Sequence, residues 1–463
     1  MYEGADVTKA VQGRQRQTRA SITALIIGLG LSGCSEMSAG GLSGAAMSLL
    51  SNDEAATSAE AEPISASSDA VLDSEMEDGT TSPLIEGLLN RRSVLGPGPL
   101  RDVAISVMAA NTRAAEADLR AATLRAEAKS LNWLPSLGPS VSLTSLGSVV
   151  ASLVINQALI DNGVRRAERD FAKHDVEVAA VALAEDSNER VLQALELYLR
   201  AEAAQARADV NAEAMERMSH FAYIMRERVN AGISDRADLQ VVTQKQNQMA
   251  SDMAADFETA QSARNELQAM AATPLSEVRG LSEIDTPSLT AEPLTVMKAM
   301  AESDRAVAEA RAARAGFLPG LSIGGSVGTS GDNLGLNVGA PNGLSFGMGA
   351  SMRAIEAEEQ AAAARVGAER EAAERDLASL EGRLVSLRRQ EAEARRLAEQ
   401  AAANYDLFAE QQRAGQRGVT EVVGVFETKV RAERTAVEMR FNIAMAELRI
   451  AARLGTLVDG ERM

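Results

Sequence analysis

Aromatic residues fill only 3% of 463 positions, with one tryptophan, so this chain cannot centre its core on aromatic clusters as two or three ordinary domains would. One cysteine, Cys34, excludes an internal disulfide. The only histidines, His174 and His220, show no metal-ligand spacing to each other or to Cys34, and no glycine-rich phosphate loop follows a strand. No catalytic residue, metal or cofactor is therefore expected, and the paired acids Glu358 and Glu359 read as solvated helix surface. Basic side chains are outnumbered 65 to 47, and the net charge of −18 argues against a nucleic-acid partner. The apolar run Ile22 to Leu31 is too short to span a bilayer. From Val164 to Asn230 there is neither proline nor glycine, so nothing breaks a helix for about 100 Å at 1.5 Å per residue.

Ala, Glu, Arg and Gln dominate 101–131, 164–272 and 353–453, the composition of long helices packed closely through small side chains. The helical pattern breaks twice in the same way. Trp133-Leu134-Pro135-Ser136-Leu137 and Phe317-Leu318-Pro319-Gly320-Leu321 lie 184 residues apart (133 to 317) and each leads into a Gly/Ser-rich segment. Ala231-Gly232 and Ala414-Gly415 each end a long helical run and lie 183 apart (232 to 415). Two unlike marks on nearly one period indicate tandem duplication of a unit longer than any solenoid repeat.

Each half holds one alternating segment. Val149, Ala151, Leu153 and Ile155 share one parity against Val150, Ser152, Val154 and Asn156; in the second half Leu344, Phe346, Met348, Ala350 and Met352 alternate with small residues. A period of two with one apolar and one small polar face is a half-exposed strand. About ten residues long, it suits a transmembrane barrel wall, or a soluble hairpin packed on helices. Gly232 and Gly415 suit left-handed helix ends, and Ser234 or Asp235 suits the cap of the returning helix. The expected division is a first repeat over 101–272, a linker over 273–293, a second repeat over 294–457 and a tail over 458–463. The first helix is expected over Asp102 to Leu131.

The N-terminus reads separately. Lys9, Arg14, Arg16 and Arg19 precede the apolar run, and Leu31-Ser32-Gly33-Cys34 follows it, so 1–33 read as a signal peptide. Leu-Ser-Gly-Cys resembles the lipobox of bacterial lipoproteins, which implies a diacylated Cys34; an ordinary signal is the alternative. Residues 34–100 read as a flexible acidic tether, with nine acids and no Lys or Arg between Asp53 and Asp78. An acidic docking tail is the other reading.

The doubled layout resembles the TolC-like outer-membrane efflux proteins. Four motifs carry it over about 101–457. They are the aromatic-Leu-Pro-x-Leu steps at Trp133/Pro135 and Phe317/Pro319, and Gln157-x-Leu-x-Asp-x-Gly163 between strand and long helix. The others are the Ala-Gly turns followed by Asp238-Leu239 and Glu421-Val422, and the ending Leu454-Gly455-Thr456-Leu457. Ala158 replaces a frequent proline, and the second half lacks a clear Asp-x-Gly step.

The resemblance implies a mainly α fold with a transmembrane β-barrel portion. In it a homotrimer joins four strands per protomer into a 12-stranded barrel continued by an α-helical tunnel, in outer-membrane lipid and lipid-anchored. It also implies a periplasmic adaptor and an inner-membrane pump as partners, met at a tip around Gly232, Ser234, Asp235, Asp238, Gly415, Arg417 and Glu421. There Arg417 would hold a neighbouring helix through a carboxylate, and Asp238 or Glu421 would form acidic rings. Solvated helix-end charges are the plainer reading of these residues. The rival to a channel is a periplasmic coiled-coil lipoprotein with a structural or adaptor role, which would lack the alternating segments.

Overall fold

The computed structural model describes residues 82–110, 114–145, 148–285, 291–328, 331–343 and 346–462, all within one compact unit, Ala66–Met463. The signal peptide, Cys34 and the tether as far as residue 81 lie outside the described residues. The elements run α1 (Pro83–Leu89), α2 (Pro99–Ala109), α3 (Ala114–Ser130), β1 (Ser136–Ser145), β2 (Ser148–Ile160), α4 (Val164–Asn230), α5 (Arg236–Met270), α6 (Leu294–Ala315), β3 (Gly320–Gly328), β4 (Asn333–Gly339), α7 (Met348–Arg413) and α8 (Val419–Arg453). The order repeats: helix, two strands, a 67- or 66-residue helix, a 35-residue return.

α4 is the spine. It packs along α3, α5, α6 and α8, while α7 packs along α8 and α6. Ala180, Ala184, Ala194, Ala204 and Ala208 are buried along α4, where small side chains let the neighbouring axes come close. Apolar burial divides into two clusters. One gathers Leu88, Leu100, Val181, Leu195, Leu199, Leu448 and Leu457. The other gathers Met218, Phe221, Val242, Tyr405, Val422 and Phe426 near the two helical turns. Among the described residues no helix is long and apolar enough to cross a membrane.

Three expectations need correction. The tether does not extend to residue 100, because Ser82–Leu100 is folded onto the helices: Ile85, Leu88, Leu95 and Leu100 are buried, Leu95 bridges to Ile284, and the Val94 amide donates to the Thr456 carbonyl (2.9 Å). Ser82 followed by Pro83 starts α1, with the Ser82 hydroxyl accepting from the Ile85 amide. The helix expected over 102–131 is two helices, α2 and α3. Of the second-half strand expected over 344–352, the described residues 346–352 are instead the entry to α7, with the Ala350 and Ser351 amides bonding to the Gly347 carbonyl. The strand lies earlier, at β4, where Leu334, Leu336 and Val338 alternate with Gly and Asn.

Candidate functional site

The four strands form one antiparallel sheet in the order β1-β2-β3-β4. Register fixes which side chains share a face. Leu137 lies opposite Ile155, Ile155 opposite Gly325, Leu153 opposite Val327, Ile323 opposite Leu336 and Leu321 opposite Val338. Because strand side chains alternate, one face is mainly apolar, with Leu137, Val141, Leu153, Ile155, Leu321, Ile323, Leu334, Leu336 and Val338, and Gln157 beside Ile323. The other face is mainly small and polar, with Ser136, Ser140, Ser152, Asn156, Ser322, Ser326, Asn333 and Asn337, and Val154 among them. Neither is covered. Leu137, Leu336 and Val338 are 63%, 66% and 76% exposed, and Ser136, Asn156 and Asn337 are exposed on the opposite side. Both edges, β1 and β4, are unpaired among the described residues. A sheet bare on two faces and two edges has unmet hydrogen-bonding and apolar demand everywhere.

The sheet joins the helices through the doubled motifs. At Trp133 and Phe317 the helix tightens into the same turn: the Leu134 amide donates to Leu131 and the Leu318 amide to Ala315 (3.0 Å each), before Pro135 and Pro319 stop it. The Gln157 side-chain amide donates to the Trp133 carbonyl (2.9 Å), and that of Asn162 donates to the Pro319 carbonyl (3.0 Å). The strand-to-helix motif of the first half thus fastens both helix-to-strand steps. The Asp161 carboxylate accepts from the Gly163 and Arg165 amides (3.0 and 3.1 Å), capping α4 over left-handed Asn162 and Gly163. The corresponding turn of the second half is Asn342-Gly343, where Gly343 is left-handed (φ 66°) and Asn342 bonds back to Gly316 and Ala313.

At the far end of α4 and α7 the two turns are alike. Gly232 (φ 69°) and Gly415 (φ 73°) are left-handed; each amide donates to a carbonyl three residues back, and the next amide to one five back (Ile233 to Arg228, Gln416 to Gln411). This paired termination is what C′ glycine permits. The structure brings the turns together, with Thr420 Oγ1 donating to Asp238 Oδ1 (3.4 Å) over Val242, Val419, Val422 and Val423. Asp235 occupies the N-cap of α5 without a side-chain cap bond, and Ser234 instead accepts from Arg228 Nε (3.0 Å), so neither side chain caps as expected. Arg417 is held within its own hairpin, by Glu421 (3.1 Å), Gln411 (3.1 Å) and the ring of Phe408 (4.6 Å).

Three buried polar groups were not foreseen. Arg91, 8% exposed, donates to the Leu454 carbonyl and to the Glu292 carbonyl (2.7 Å), with its pKa lowered to about 10 by burial against the pull of Glu292. The Glu177 carboxylate accepts from the Ser82 hydroxyl (2.6 Å) and meets His174 Nδ1 (2.8 Å). That bond raises the His174 pKa; for Glu177, burial pushes upward but the bonds from His174 and Ser82 outweigh it and lower the pKa. Asp256 on α5, 6% exposed, takes Arg207 of α4 on Oδ1 (2.9 Å) and Arg434 of α8 on Oδ2 (2.7 Å). The available signal was charge at apolar seam positions: Asp256 continues the seven-residue step Val242, Met249.

No protein-family model and no curated protein sequence matches the chain. Solved structures do. A membrane protein from Pseudomonas aeruginosa superposes with a TM-score of 0.70 at 17% identity, covering 80% of this chain and 92% of its own. CusC, whose structures concern folding and transmembrane channel formation, gives 0.68 at 14%, covering 78% and 96%. The Campylobacter jejuni CmeC outer membrane channel gives 0.65 at 15%, covering 78% and 86%. The chain has the fold of these TolC-like outer-membrane channels, mostly helical with a small four-stranded sheet.

Proposed function

We propose that the chain is the outer-membrane channel-tunnel of a tripartite efflux or type I secretion system. The observation that carries this is the bare sheet, apolar on one face, small and polar on the other, with both edges open. In hydrocarbon no water satisfies an open edge, so a sheet spans a bilayer only as a closed barrel. Three copies joined β4 to β1 close a 12-stranded barrel with the apolar face toward lipid and the serines, glycines and asparagines toward a wet lumen. The long helices then continue the lumen as a tunnel. The alternative coiled-coil lipoprotein leaves the apolar face without an occupant.

On this reading 1–33 is a removed signal and Cys34 carries acyl chains that add an anchor in the same membrane. The repeats 101–272 and 294–457 each supply two strands and one hairpin of the tunnel wall. The turns at Gly232 and Gly415, with Ser234, Asp235, Asp238, Arg417 and Glu421, form the periplasmic end where an adaptor docks and opens a passive gate. An inner-membrane pump supplies the energy, and the chain itself makes or breaks no bonds.

Negative-stain microscopy of the detergent-extracted, signal-processed protein tests this. Threefold end views on particles longer than the roughly 100 Å of α4 are expected. Monomers or thin rods without a barrel end overturn it.

A further inference from the structure

Charge along the helices changes sign next to the sheet. The four helix ends that meet it, 124–130, 164–170, 309–315 and 348–354, carry eight Lys or Arg against four Asp or Glu. The next seven residues of the same helices, 117–123, 171–177, 302–308 and 355–361, carry three against eight. We infer that the basic layer is a membrane-docking belt that binds the phosphate headgroups of anionic phospholipids in the leaflet on the helix side. The inference deepens the channel reading above and rests on it.

Local needs of the fold account for only part of this layer. Lys129 pairs with Glu168 (3.1 Å), Arg125 pairs with Asp175, and Arg169 bonds to Asn132 (3.3 Å). Arg165, Arg166, Arg311, Arg314 and Arg353 form no ion pair among the described residues, in a chain with 65 acids to 47 bases. Farther along the helices Arg305, Arg434 and Arg449 each hold a carboxylate. Arg314 lies in the last turn of α6, where the helix dipole favours a cation. Arg165 and Arg166 lie in the first turn of α4, where the dipole opposes one, and that turn contains no acid. Asp161, just before them, is already engaged by the Gly163 and Arg165 amides.

A second copy does not supply the missing anions. Rotation about a barrel axis leaves every residue at its own height, so each neighbouring copy brings the same excess of bases to the same layer. The layer lies just beyond the last apolar strand residues, Leu137, Leu321 and Val338, where the headgroups of a bilayer around that face would stand. Trp133, the one tryptophan of the chain, and Phe317 sit at the same junction, as aromatic residues do at a membrane interface. The opposite rim has no such belt: 144–148 and 328–333 contain no Lys, Arg or aromatic residue and one acid, Asp332. Seven residues of helix are about 10 Å deep, which equals the Debye length of roughly 10 Å at 0.1 M salt. The basic layer is thus within reach of a charged headgroup plane, and the acidic layer behind it is screened.

Lipid selectivity tests this. The detergent-extracted, signal-processed protein is reconstituted into phosphatidylcholine vesicles with trace spin-labelled phosphatidylglycerol or phosphatidylcholine. Electron paramagnetic resonance then gives the motionally restricted fraction of each label. At 0.1 M NaCl phosphatidylglycerol should associate at least about twofold more strongly than phosphatidylcholine, and the ratio should fall to about one at 1 M NaCl. The net charge of −18 acting as a whole would repel that lipid and give a ratio below one. Arg166→Gln, Arg311→Gln, Arg314→Gln and Arg353→Gln together break no ion pair and leave the layer with four bases and four acids, so this variant should show no selectivity. Arg383→Gln, Arg389→Gln and Arg396→Gln, on α7 away from the sheet, should leave the twofold ratio in place. A ratio of one or less in the wild type overturns the inference, as does a ratio that survives 1 M NaCl, that persists in the four-residue variant or that is lost in the α7 control. Absence of a restricted fraction for either lipid means that no barrel is inserted, and overturns the channel reading and this inference with it.

Discussion

A charge placed on each face of β4 separates a membrane wall from a water-exposed sheet. Leu336 sits at the middle of β4, paired with Ile323, and is 66% exposed. In water, arginine at such a site changes stability by no more than about 0.5 kcal/mol. At the bilayer midplane an arginine on the lipid face costs about 2–4 kcal/mol, or roughly 30- to 1,000-fold in the folded fraction. Asn337, the next residue, points to the opposite face, where arginine would meet the wet lumen and cost about 0–0.5 kcal/mol. Leu336→Arg and Asn337→Arg should therefore differ strongly although both sites are exposed in the isolated protomer. The assay is urea titration of protein refolded into lipid vesicles, read as the heat-modifiable band on unboiled gels. Equal tolerance of the two arginines would refute the assignment of the apolar face to lipid, as would a larger loss from Asn337→Arg.

Arg91→Met removes donors from two carbonyls, those of Leu454 and Glu292, and at about 1–3 kcal/mol per stranded carbonyl should cost about 3 kcal/mol, seen as a lowered urea midpoint and faster proteolysis within 82–95. The His174 pKa is raised in the fold, so its contribution is complete below the unfolded value of 6.5 and fades as pH rises through the folded value. The Glu177 pKa is lowered, so its contribution is lost as pH falls below its ordinary value. The melting-temperature gap between wild type and His174→Gln should accordingly be larger at pH 6 than at pH 8.5; a gap that grows with pH contradicts the bond to Glu177. Gly415→Ala should destabilise by about 1 kcal/mol because of its left-handed backbone, whereas Gly367→Ala, inside α7 with open space around it, should stabilise by about 0.5–1 kcal/mol. Thermal melts of both variants check the opposite signs.

The sequence made the helices, their turns and the duplication legible because those depend on local chemistry. Nothing between Val164 and Asn230 can break a helix before Gly232 turns left-handed, and α7 runs through Gly367 and Gly382 before Gly415 does the same. The parity of Leu153 and Ile155 against Ser152 and Asn156 likewise survives any register. The misplaced strand has a different cause. Residues 347–352 are small or flexible, so their alternation costs little in either conformation, and strand pairing of 333–339 with β3 decides the matter. The folded arm at 82–95 hid behind the acidic composition around it, although Ser82-Pro83 marks a helix start. The second-half turn at Asn342-Gly343 was missed because Pro341 stands where the first half has Asp161. Asp256 was legible only as an acid on a seven-residue stripe, and its arginines lie 49 and 178 residues away.

The cluster of Asp256, Arg207 and Arg434 poses the sharpest energetic question. A buried ion pair is weak evidence for stability: removing one member costs about 3–5 kcal/mol, yet replacing the whole group by apolar residues of similar size is often neutral or stabilising. Asp256→Ala should therefore lower stability by about 3 kcal/mol, leaving Arg207 and Arg434 facing each other across the seam. The combined Asp256→Leu, Arg207→Met, Arg434→Met variant should recover most of that loss, because each site continues an apolar stripe. Urea midpoints of the single and combined variants decide between charge and packing: a combined variant no more stable than Asp256→Ala would show that these three positions cannot continue the apolar stripes.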